Sequence, residues 1–201
     1  MNFTRLKPIA GYPIDTHRAP FFQKIWREVR PSGVIVDPFA RDCTLADAAF
    51  RNDINPKTHA FHHLDAIDFF VKMLNHNGPG FADFIIYDPP FSQRQLEEKY
   101  DGELVNMYTV PGYVKNVNKL ACLCLRLGGR LLKFGYNSNR VGSLDFEAGW
   151  IQPTGGNSND VIISLWVQRQ KTLIPWLPDL ESTEDECEDD GRDCDDDPFQ
   201  W

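Results

Sequence analysis

Short runs that end in a carboxylate, the first and last of them wholly apolar, alternate along this chain with stretches of helical period. Val34-Ile35-Val36 ends at Asp37, Phe50-Arg51-Asn52 at Asp53, residues 59–64 at Asp65, and Phe84-Ile85-Ile86-Tyr87 at Asp88. Runs with no polar side suit strands buried on both faces, as in a parallel sheet covered by helices. Phe21, Phe22, Ile25, Trp26 and Val29 recur at helical spacing after Pro20, which a first helical turn tolerates, and Pro31-Ser32-Gly33 stops that helix. Ile67, Phe70, Val71 and Leu74 predict an amphipathic helix from Ala66 to Asn75, and a longer helix spans roughly 112–127 before Gly128-Gly129. A strand over 130–134 follows. Runs near 145–151 and 161–168 flank Pro153-Thr154-Gly155-Gly156-Asn157 and pair as an antiparallel hairpin. Residues 1–18 read as irregular, broken by Pro8, Gly11 and Pro13. The alternation predicts an α/β fold: one sheet, mostly parallel with a C-terminal antiparallel hairpin, and helices on both faces.

The strand ends carry the chemistry. Two consecutive prolines cannot donate ladder hydrogen bonds, so the fourth run stops at Asp88 and the chain is held stiff there. Asp88-Pro89-Pro90-Phe91 thus sets a carboxylate, a backbone carbonyl and a flat ring at the carboxyl end of a strand, where open α/β sheets place their ligands. That set suits a planar molecule with an exocyclic amine. In a parallel sheet Asp37, Asp53, Asp65 and Asp88 share one rim, and a nucleoside binds such a rim through its ribose hydroxyls and base amine. Asp53 follows Asp37 by sixteen residues, near the spacing of about 20 expected of a ribose acid. The glycine-rich phosphate turn is missing, and Pro38 and Phe39 stand where a pyrophosphate needs bare backbone, which favours a nucleoside without phosphate. Each acid also has a structural reading: Asp37 and Asp53 can close turns, and Asp65 before Ala66 can cap a helix.

Composition changes this picture in one respect. Residues 179–201 hold twelve acidic residues against Arg192 alone, so a chain of formal net charge −8 divides into a mildly basic domain over 1–178 and an acidic, apolar-poor tail. Such a tail has too little to bury to fold alone. The five cysteines lack a zinc-like spacing, adjacent His62 and His63 would point to opposite faces of a strand, and no metal is expected. There is no run of 18 apolar residues and no signal-peptide pattern, so the expected location is the cytoplasm.

Taken together and in order, VIVDPFARDC, RNDINP, HLDAIDFF and IIYDPPF resemble the phage-type adenine-specific DNA methyltransferases, which use S-adenosyl-L-methionine. GGRLLKFGYNS and GGNSNDVIISLWVQR are similar to that family's fifth strand and closing hairpin, and the likeness runs from about Pro20 to Gln170. It implies a Rossmann-like methyltransferase sheet acting on DNA, in a host-cell cytoplasm if the chain is phage-encoded. Asp37, Pro38, Phe39 and Ala40 would form the first cofactor motif, Asp53 with Ile54 would hold the ribose, and Asp65 with Ala66 would sit by the cofactor adenine. Asp88, Pro89, Pro90 and Phe91 would be the catalytic tetrad. Arg41 stands where the broader superfamily has glycine, Phe91 where tyrosine is commoner, and no segment has the size of a separate target-recognition domain. The same acceptors would serve N4 of cytosine or an amine in RNA. A non-catalytic binding protein working through its acidic tail is the reading from another class.

The tail supplies the first prediction. Residues 92–140 carry eight basic side chains against four acids, beside the catalytic motif. A tethered acidic segment competes with phosphates for such a surface at a millimolar-scale effective concentration, and its DDDPFQW end could instead hook a partner protein. Deleting residues 179–201 should tighten DNA binding several-fold at low salt, with the gap closing toward about 0.3 M as the Debye length shortens. Identical binding isotherms across that range would leave the tail as a solubility device or a partner hook.

Overall fold

The computed structural model of the protein describes residues 1–9, 16–43, 50–90, 106–154 and 160–170. Among the described residues seven strands form one sheet: β1 (Thr4–Arg5), β2 (Ile35–Asp37), β3 (Phe50–Arg51), β4 (Ala82–Tyr87), β5 (Leu125–Gly135), β6 (Asp145–Gln152) and β7 (Val161–Val167). Their order is β1-β6-β7-β5-β4-β2-β3. The β3, β2, β4 and β5 neighbours pair in parallel, while β7 lies antiparallel between β5 and β6. This is the α/β sheet that the alternation predicted, mostly parallel with an antiparallel hairpin of β6 and β7.

Strand alternation divides the core in two. Val36, Ile85, Leu131 and Trp166 face α2 (Ala66–Asn77) and α3 (Tyr113–Cys124), which contribute Phe69, Phe70, Met73 and Val117. The intervening Ile35, Phe84, Ile86, Leu132 and Phe134 face α1 (Pro20–Val29), which contributes Phe21, Phe22, Ile25 and Val29. Period two in the strands against 3.6 in the helices thus puts a helical layer on each face. Burying these side chains, at about 1.5–3 kcal/mol each, is the main force holding the layers together.

Four local readings change. The third run narrows to a single parallel bridge between Asn52 and His62, at which the His62 N–H donates to the Arg51 carbonyl and the His62 carbonyl accepts from Asp53. The buried stripe of α2 centres on Ala66, Phe69, Phe70, Met73 and Leu74, leaving Ile67 and Val71 half-buried. The helix expected to reach residue 127 ends at Cys124, and β5 begins at once. Gly128-Gly129, read as a stop, lies inside that strand. The register jumps from Ala82↔Leu125 to Phe84↔Arg130, so the glycines occupy a bulge in the strand, with Gly128 at φ 76°. At the other edge, Thr4–Arg5 adds in parallel to β6, and Gln152 Nε2 donates to the Lys7 carbonyl at 2.9 Å. A two-residue strand has no period to read.

Gly129 tests the bulge. A Cβ there would lie 2.9 Å from the Arg126 carbonyl oxygen and 3.1 Å from that of Ala82, both backbone atoms with little freedom. Gly129→Ala should lower unfolding free energy by about 1–3 kcal/mol. Gly135→Ala, whose nearest neighbours stand at 3.9 Å, should have the smaller effect. Urea denaturation of the two variants makes the comparison.

Candidate active site at the carboxyl rim

Parallel pairing of β2 with β4, Ile35 beside Phe84 and Val36 beside Ile85, delivers Asp37 and Asp88 to the same edge. β3 pairs with β2 on its other side, and Asp53 follows it there; Asp65 comes after the His62 bridge. Asn52 joins three of these chain segments. Its side-chain amide donates to the carbonyls of Pro38, at 3.1 Å, and Leu64, at 2.9 Å, and its Oδ1 accepts the Leu64 N–H at 3.0 Å. Its backbone N–H donates to the Asp37 carbonyl, and its carbonyl accepts from Ala40, each at 2.8 Å. At 1% exposure Asn52 is buried with all of these bonds made.

The four acids have different surroundings. Asp37 is buried, and Oδ1 accepts the Phe39 N–H at 3.2 Å. Burial pushes its pKa up to about 8, and the nearby Asp88 and Asp53 charges act in the same direction. Asp53, equally buried, accepts the Arg41 N–H at 3.0 Å on one oxygen and the Asn55 N–H at 2.9 Å on the other. Burial raises its pKa, against the lowering effect of those two bonds. Asp53 therefore closes the loop after β2, in which Arg41 adopts the left-handed φ of 47° that glycine would adopt freely. Asp65 caps α2 by accepting the Ile67 N–H at 2.9 Å. The same carboxylate receives the Tyr113 hydroxyl at 2.7 and 2.8 Å from its two oxygens. Both readings of Asp65 meet in one side chain, which caps a helix and also lies at the rim.

Asp88, Pro89 and Pro90 follow β4 and are half-buried; Phe91 lies outside the described residues. The Phe39 ring meets Tyr87 edge-on at 5.5 Å, Pro38, Ala40 and Ala66 are buried, and Ile54 is half-buried within the turn that Asp53 closes. Tyr113 and Asn118 had no place in the sequence reading, Tyr87 stood there only as part of a strand, and Lys133 only as one of eight basic residues. The Tyr87 hydroxyl donates to Asn118 Oδ1 at 2.8 Å, anchoring the end of β4 to α3. A phenol within the otherwise non-polar run before Asp88 was the available signal. A groove of about 760 Å³, lined by Phe50, His62, Val71, Lys72, Met73 and His76 among others, flanks β3 and α2 and includes none of the four acids. Among the described residues, no helix is long and apolar enough to cross a membrane.

The site makes a pH prediction with a definite sign. With its pKa raised from 3.8 to about 8, folded Asp37 holds a proton that the unfolded chain has released between those values. Its contribution to stability is complete below about pH 4 and falls as pH rises toward 8, by at most about 1.4 kcal/mol per unit. Asp53, shifted in the same direction, adds to the trend. Asp37→Asn should flatten the decline, and urea midpoints at a series of pH values measure it.

No protein-family model and no curated protein matches the sequence. Among solved structures, the chain is similar to "Putative methyltransferase yhhF from Escherichia coli". The two share 13% identity and a TM-score of 0.42, over 81% of this chain and 92% of that one. A likeness so distant says nothing of chemistry; the strand order and the rim stand on their own geometry.

Proposed function

We propose that the protein transfers a methyl group from S-adenosyl-L-methionine to an exocyclic amine, with N6 of adenine in DNA as the target. The observation that supports this reading is the convergence of Asp37, Asp53 and Asp88 on the carboxyl rim of a parallel sheet, with two prolines fixing the backbone after Asp88. The donor set fits the cofactor. Carboxylates and carbonyls dominate the rim, and these accept hydrogen bonds from ribose hydroxyls and attract positive charge. Asp53 and Asp65 already accept bonds from the protein but keep lone pairs for ligand donors. The loop after β2 commits its Arg41 N–H to Asp53 and its Ala40 N–H to Asn52, so it is no cradle for a pyrophosphate.

When bound, the cofactor supplies an electrophilic methyl on a sulfonium. The chain's own task is to prepare the amine. The N6 lone pair is delocalised into the adenine ring and is a poor nucleophile. Asp88 carboxylate and the Pro89 carbonyl accept its two N–H bonds, favouring tetrahedral geometry with the lone pair available for attack. The excess proton leaves by way of Asp88. Phe91 stacks the base, which in a duplex must first be flipped out. Orientation and pre-placed acceptors supply the rate enhancement.

Transfer of labelled methyl groups to mixed-sequence DNA and RNA, followed by nucleoside analysis, tests the reading and separates N6 of adenine from N4 of cytosine. Asp88→Ala should abolish transfer while leaving the fold, since Asp88 is half-exposed at the rim and not part of the core. Phe91→Tyr should retain activity and Phe91→Ala should lose most of it, stacking being worth about 1–3 kcal/mol per base. A wild type that binds the cofactor but methylates neither polymer would leave a binding protein on a methyltransferase sheet.

A further inference from the structure

Several basic side chains on and beside β5 are tied to carboxylates. Arg126 pairs with Asp83, Arg130 lies 3.9 Å from Glu147, and Arg140 lies 3.2 Å from Asp145. Lys133 is different. It sits near the carboxyl end of β5, directly beside Tyr87, the residue before Asp88. Its ammonium donates to Asn137 Oδ1 at 2.9 Å and to the Asn139 carbonyl at 3.1 Å, both neutral oxygens of the segment leaving β5. Among the described residues it has no carboxylate partner.

An ammonium carries three donors, so two acceptors leave one N–H available. Partial burial removes water from Lys133 and moves its pKa below the ordinary lysine value, with no opposing carboxylate. A half-buried cation with only neutral partners is costly unless an anion completes its environment. The groups facing it include Tyr87 and Ser164 on the neighbouring strands, and the Ser164 hydroxyl already accepts the Trp166 indole N–H at 2.8 Å. The missing anion has to come from outside this set.

We infer that Lys133 is a phosphate-binding residue of the rim, its ammonium receiving a backbone phosphate of the strand that presents the target base. This rests on the nucleic-acid reading of the site. The strand pairing places Lys133 one strand from the Asp88 position, and the phosphodiester beside a base held there is the anion the substrate itself brings. Asn137 and Asn139 hold the ammonium in place before the strand arrives.

Salt dependence separates this role from that of a loop staple. A short fluorescent DNA strand is titrated by anisotropy against wild type, Lys133→Gln and Lys133→Arg from about 0.05 to 0.3 M salt, with methyl transfer to the same strand followed in parallel. Glutamine keeps a donor for the loop and removes the charge; arginine keeps the charge. The expected result is a log-affinity against log-salt slope about 0.7 shallower for Lys133→Gln and unchanged for Lys133→Arg. Uniformly weaker binding with an unchanged slope would make Lys133 a staple and overturn the inference, while methyl transfer by the wild type would leave the function standing. A shallower slope without transfer to any base would support the phosphate site and reject the amine-methylation reading. Absence of binding by the wild type would reject both. Protection of Lys133 from an amine-acetylating reagent by the same strand reads the contact on unmutated protein, and equal acetylation with and without DNA would also count against it.

Discussion

One buried amide holds the rim together. Asn52 accepts and donates across the loop after β2, the end of β3 and the approach to α2, and its side chain bonds to both of the other two segments. Each group it satisfies would otherwise be a buried donor or acceptor without a partner, at about 1–3 kcal/mol apiece. Asp53 acts beside it, gripping the Arg41 turn and the Asn55 turn with separate oxygens. Large apolar clusters explain why the layers stay together. The amide explains why the edge of the sheet has one conformation.

That edge concentrates acids where burial disfavours charge. Asp37, Asp53 and Asp88 interact through space, and Asp37 responds by holding its proton well above the ordinary carboxylate range. The stress has a chemical use under the proposed function. A ligand bearing positive charge relieves both the repulsion and the desolvation, so the field that weakens the empty protein favours the cofactor. A pyrophosphate would aggravate both.

Two strand runs were most legible because each is apolar on both faces and stops at a carboxylate. Val34–Asp37 and Phe84–Asp88 became the neighbouring parallel strands β2 and β4, and Phe21–Val29 a covering helix. Gly128-Gly129 misled because a glycine pair marks a stop and a bulge equally well; only pairing of Leu125 with Ala82 separates them. The Asn52–His62 bridge and the Thr4–Arg5 strand are set by tertiary hydrogen bonds, with too few residues to show a period. Asp65 was legible as helix cap and as rim acid, but its bond to Tyr113 joins residues 48 positions apart and leaves no local trace. Lys133, which has no carboxylate partner among the described residues, was visible only as one of several basic residues until the neighbouring arginines were seen with their carboxylates.

Under the proposed function, a rim that attracts a sulfonium must still admit a polyanion. Two features of the structure reconcile these demands. Asp37 is driven toward its neutral form, which lowers the negative charge that approaching phosphates meet. Asp37 and Asp53 also lie below the surface, while Lys133 at the end of β5 and exposed Lys115 and Lys119 on α3 carry the positive charge. Coulomb interactions are strong in the low-dielectric interior and weak across water, so acids act at short range on what enters the crevice and lysines act outward on the strand. The separation follows from depth: the strands end in buried acids, and the positive charge is carried on β5 and on the face of α3 turned away from the core.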